Sequence, residues 1–158
     1  MGQPLQRKPL VCLYLLFFCL VALFLTTPTV AFPAQATVSL RIQVIYAANE
    51  PGGVDNRLGG LADDLQRTFR YSMYTLLDSP HGSAALNQAW ATPLPGDRRL
   101  EVVPTAIQEG QYSLTVRVLA PAGQAMVNTA VRLKSGATVL VGGPSHQKGV
   151  LIIAITTP

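Results

Sequence analysis

From Asp97 onward a turn signal recurs roughly every twelve residues, and between the turns apolar and polar side chains alternate. A period of two over so short a repeat leaves room for strands and little else. Tyr112, Leu114, Val116 and Val118, interleaved with Ser113, Thr115 and Arg117, are the clearest case. Glu109-Gly110, Pro121-Ala122-Gly123 and Lys134-Ser135-Gly136 supply turns. They bound expected strands at Leu100 to Ile107, Tyr112 to Val118 and Ala125 to Leu133. Pro104 cannot donate to a ladder, so the first of these strands lies at an edge or carries a bulge. Two more strands are expected, Thr138 to Val141 and Val150 to Thr156, across a glycine-rich turn from Gly142 to Gly149. The run Val150-Leu151-Ile152-Ile153-Ala154-Ile155 is apolar on both faces. A central strand covered on both sides accounts for it, as would burial against another subunit or lipid.

Upstream, Val38, Leu40, Ile42 and Val44 alternate with Ser39, Arg41 and Gln43, which reads as a strand from Thr37 to Ala47 with one wet face. Asn49-Glu50-Pro51-Gly52-Gly53 breaks it, and Asp55 is placed to cap a helix reaching Tyr71. Leu58, Leu61, Leu65 and Phe69 are spaced three and four apart and share one stripe, which is expected to pack on the sheet. Tyr71 to Asp78 reads as a strand and Ser79 to Ser83 as a turn. Ser83 to Ala91 is ambiguous and inclines to strand, and Pro93 to Asp97 is a strong turn. The expected fold class is α+β: a mixed, mostly antiparallel sheet with one N-terminal amphipathic helix packed on it. The expected layout is an export segment over 1–36 and a single domain over 37–158. Within the domain, 37–79 forms a β-α-β unit and 98–158 a β-meander.

The export reading rests on Arg7 and Lys8, an uncharged run of 16 residues from Leu10 to Leu25, and the small-residue pair Ala34-x-Ala36. That is the three-part pattern of a secretory signal. The run is slightly long for a signal core and short for a span of about 20 residues. Cleavage after Ala36 is expected, with a retained N-terminal anchor as the alternative. Either way the positive flank orients the domain outward, giving a periplasmic, secreted or inner-membrane-anchored protein. Cys12 and Cys19 both lie inside the apolar run, so disulfides play no part in the domain. With 49% apolar and 13% charged residues the chain is not disordered. The net charge of +4 falls to +2 once Arg7 and Lys8 are set aside.

Candidate chemistry is sparse. His81 and His146 sit in expected turns far apart, and a zinc site from them with Asp78 has as its plainer alternative two solvated loop histidines. Asp63 and Asp64 are adjacent on a helix, about 100° apart, and cannot share a proton. Ser145-His146 are chain neighbours, and neighbours rarely make the hydrogen bond of a catalytic triad. Lys148-Gly149 reverses the Gly-Lys order of a phosphate-binding loop. Arg98-Arg99 is the only basic pair beyond the signal, and Trp90, Tyr46, Tyr71, Tyr74 and Tyr112 fit core or strand positions, so nucleic-acid binding is not expected. No catalytic residue, cofactor-binding residue or metal ligand is assigned, no cofactor is expected, and the chain reads as a non-enzyme.

The stretch Thr129-Ala130-Val131-Arg132-Leu133-Lys134-Ser135-Gly136-Ala137-Thr138-Val139-Leu140-Val141-Gly142-Gly143 resembles the β-domain signature of bacterial secretins, the outer-membrane channels of secretion systems and type IV pili. That family runs a strand, a Lys/Asp-Gly turn, a Thr-Val-rich strand and a Gly-Gly pair in this order. It then continues into a gate region, whereas this sequence has one more strand. The layout from Ile45-Tyr46-Ala47 through Tyr71-Ser72-Met73-Tyr74 to Gly142-Gly143-Pro144 is also similar to small exported bacterial proteins. These resemblances imply an envelope location and a protein partner in a secretion or pilus-type assembly. The alternative is a small-ligand or cell-wall-binding domain. Membrane contact is expected only through an uncleaved N-terminal segment.

Overall fold

A computed structural model describes residues 36–157, and the export segment with Cys12 and Cys19 lies outside them. The alternation that begins at Thr37 folds into strand β1 (Thr37–Ala48). Its first half is wet on one face, and its second half, Val44 to Ala48, is buried on both. The reason is local: strand β2 (Gly53–Val54), a 3-10 turn (Asn56–Leu58) and helix α1 (Leu61–Thr68) fold back over that half alone. Leu58 and Leu65 are buried there against Ile45, Ala47, Tyr74, Ile152 and Ala154, with Leu61 and Phe69 packed beside them. The expected helix from Asp55 to Tyr71 is thus shorter, because Gly59-Gly60 separates the 3-10 turn from α1.

The remaining strands are β3 (Met73–Asp78), β4 (His81–Ala85), β5 (Trp90–Leu94), β6 (Arg98–Gln108), β7 (Gln111–Leu119), β8 (Ala125–Lys134), β9 (Thr138–His146) and β10 (Gly149–Thr156). Strands hold 63% of the described residues and helical turns 9%. The α+β expectation with one sheet is therefore corrected: the fold is mostly β and has two sheets. The first runs β2-β3-β1-β10-β9, with β4 continuing the line of β3 along β1 past the Ser79-Pro80 interruption. The second runs β5-β6-β7-β8. An eight-residue helix is about 12 Å long and cannot cover the apolar faces of this many strands. A second sheet does so instead. Val38, Leu40, Ile42, Leu151, Ile153 and Ile155 from one side meet Leu100, Val102, Leu114, Val116 and Val118 from the other.

Within 37–79, β1 and β3 pair antiparallel and only the two residues of β2 run parallel to β3. Two further expectations change. The meander from 98 breaks after β8, because Ser135 to Ala137 carries the chain from the second sheet to the first. The glycine-rich segment from Gly142 to Gly149 is strand except for Gln147-Lys148. Gly149 allows this, since a Cβ there would overlap the Ala47 carbonyl. Glu109 and Gly110 both have positive φ, 47° and 75°, forming the two-residue loop that tightly joins β6 to β7. Pro104 sits at a register shift, the bulge its ring requires. The doubly apolar β10 is a central strand between β1 and β9, with Leu151, Ile153 and Ile155 toward the second sheet and Ile152 and Ala154 toward α1.

Candidate functional site

The residues singled out by their chemistry are dispersed. His81 opens β4 opposite Arg41, while His146 closes β9 with its ring edge-on to Tyr46, centroids 5.9 Å apart. His81 lies against the middle of β1 and His146 beside its C-terminal end, about 20 Å apart at 3.3 Å per residue. Ser145 and His146 are consecutive in a strand and point to opposite faces. Asp63 and Asp64 are exposed on α1, with Asp64 paired to Arg67. Lys148 pairs with Glu50 at 3.2 Å, and Arg98 and Arg99 alternate on β6. Among the described residues no three His, Cys, Asp or Glu side chains converge as a metal site would need.

Polar groups do gather on the first sheet where α1 does not reach. Ser39 and Arg41 of β1, His81 and Ser83 of β4, and Thr156 of β10 line an open groove of about 840 Å³ there. The register places Arg41 between His81 and Thr156. Arg41 is exposed and makes no ion pair among the described residues.

The edges of the two sheets differ in a way that bears on association. A free edge strand presents unpaired N–H and C=O groups, and native proteins blunt it with short length, proline, bulges or a covering segment. In the first sheet, β3 is covered by β2 and by a clamp built from Asp55 and Arg57. Arg57 donates to the Asp55 carboxylate at 2.6 Å and to the Leu76 carbonyl at 2.8 Å, while the Leu76 N–H donates to Asp55 at 3.2 Å. These hydrogen bonds from Arg57 and Leu76 hold the Asp55 carboxyl far below the usual carboxylate range. On the opposite edge β9 carries Gly142-Gly143-Pro144. β4 and β5 have five residues each, and β5 contains Pro93.

Among the described edge strands β8 carries the fewest of them, a single register shift at its start, where Met126 is the extra residue between Ala125 and Val127. It is ten residues long, and Ala125 to Val131 contains no charge, proline or glycine. The Ser135 N–H donates inward to the Gly110 carbonyl. By alternation the odd residues Val127 to Leu133 face β7, and the backbone groups of Asn128, Ala130 and Arg132 point to the open side. Val127 and Val131 face the core yet are only half-buried, and Met126 is 46% exposed. This edge was not read from the sequence, where β8 looks like any other alternating segment. The Ser135–Ala137 link also means that β8 and β9, the two strands of the secretin-like stretch, lie in different sheets and form no hairpin. No protein-family model, curated protein or solved structure matches the chain.

Proposed function

We propose that the chain is a non-enzymatic interaction module of the cell envelope that engages a protein partner by strand addition to β8. The observation that carries this reading is the open edge of β8 beside edges that are each short, interrupted or covered. The secretin-like stretch begins in the same strand, so a secretion or pilus-type assembly is the setting proposed for it. The signal-like N-terminus supports placement outside the cytoplasm. The test is co-purification from envelope extracts with a tagged full-length copy, run beside Ala130→Pro. The Ala130 N–H faces outward, so proline there blocks an incoming strand and leaves the β7 ladder intact. A partner held by the parent and lost from a folded Ala130→Pro variant is the expected result. A protein that stays alone at every salt and detergent condition, or a partner indifferent to Ala130→Pro, refutes the reading.

The groove beside Arg41 favours a second reading, a small-ligand or cell-wall-binding domain that takes an anionic group. Thermal stabilisation by an acidic glycan with no protein partner present, lost in Arg41→Ala, would support it.

A further inference from the structure

We infer that the strand received by β8 is β8 of a second copy, paired antiparallel about a two-fold axis at Ala130. This rests on the strand-addition reading and names the partner. With N–H and C=O of Asn128, Ala130 and Arg132 directed outward, a second copy turned about Ala130 presents the same groups in reverse order. Ala130 then faces its own equivalent, and Asn128 faces the second copy's Arg132. On the outer surface of the sheet that pair matches an amide oxygen to a guanidinium. On the core side Val127 meets Leu133 and Thr129 meets Val131, combinations that stabilise cross-strand neighbours.

Charge placement favours a second copy in this arrangement. The only charges of β8, Arg132 and Lys134, lie at its C-terminal end. Antiparallel pairing sets them against the neutral Asn128 and Met126 of the other copy. A parallel pairing in register would set arginine on arginine and lysine on lysine. The half-buried Val127 and Val131 gain cover when the sheet continues. Small Ala130 at the axis lets the two backbones approach without a clash.

The test is sedimentation velocity of the full-length protein from an exporting host, with two differently tagged copies co-expressed as a second readout. The parent is expected at twice the chain mass, with each tag retrieving the other. Ala130→Pro is expected at the chain mass while keeping a cooperative thermal transition, its midpoint lowered only by the lost association. Asn128→Lys, which places a cation opposite Arg132 twice per dimer, should weaken association about tenfold. Adding Arg132→Glu to that variant should restore it. A parent that is monomeric at its highest soluble concentration, or a charge swap without rescue, overturns self-pairing. If such a monomer still binds another envelope protein and loses it in Ala130→Pro, strand addition stands and only the identity of the partner falls.

Discussion

Two side chains hold the covered half of the first sheet together through bonds that no hydropathy pattern reveals. The fully buried Tyr74 donates its hydroxyl to the Phe69 carbonyl at 2.6 Å and accepts from the Tyr71 N–H at 3.2 Å, closing the C-terminal end of α1. Tyr74→Phe leaves the ring in place but strands a half-buried backbone group, so urea denaturation should show a loss of about 1–2 kcal/mol. An unchanged midpoint would mean that water serves those groups equally well. Asp55, expected to cap a long helix, caps the 3-10 turn and clamps the edge of β3 with Arg57. Because folding depresses its carboxyl, the stabilisation is present above the unfolded value of about 4 and is lost as pH falls toward the folded one. Asp55→Asn is therefore expected to be less stable at neutral pH. Its deficit against the parent should shrink as the pH is lowered below about 4, which urea midpoints at stepped pH would show. A deficit that stays constant down to pH 2 would remove the clamp as its cause.

At the scale of elements, α1 carries the consequence of a stripe that spacing alone exposes. Leu65 is completely buried beneath eight helical residues, in the cluster that includes Ile45, Tyr74 and Ile152. Leu65→Ala should cost about 2–5 kcal/mol, and Leu65→Asp should abolish cooperative unfolding by placing an unpaired charge among apolar groups. A soluble Leu65→Asp variant with a sharp thermal transition would show that α1 can lift from the sheet without unfolding it. Which residues face inward was legible from three- and four-residue spacing in the helix and two-residue spacing in the strands. The partners of those faces were not, because periodicity reports the face of a segment and not the segment lying over it. Ser79 to Ser83 illustrates the limit. His81 and Gly82 are poor strand residues, yet they pair with Arg41 and Leu40 because β1 is long enough to template both β3 and β4. The open edge of β8 was illegible for a related reason. An edge is defined by the neighbour a strand lacks, and no local signal encodes that.

At the scale of the whole molecule, the two strands that hold the first sheet together come from opposite ends of the domain, β1 pairing with β10 from Arg41↔Thr156 to Ala47↔Val150. The turn spacing predicts a chain of neighbours, which holds for β6, β7 and β8, whereas the β1–β10 pairing closes only after every intervening residue is made. That closure costs loop entropy before it gains burial, so folding should be slow for a domain of this size. It also concentrates stability in the last strand. Leu151, Ile152, Ile153 and Ile155 are each fully buried, and at about 1.5–3 kcal/mol per side chain they together match the net stability of about 5–15 kcal/mol typical of a domain. Removing β10 would also uncover both faces of the second half of β1, since Ile152 and Ala154 complete the cluster under α1 while the other three complete the core between the sheets. A chain ending at Lys148 is therefore expected to show no cooperative thermal transition and to exchange its amide hydrogens throughout. Protection surviving in β6, β7 and β8 of that truncated chain would instead make the second sheet an independent folding unit, onto which β1 and β10 dock late.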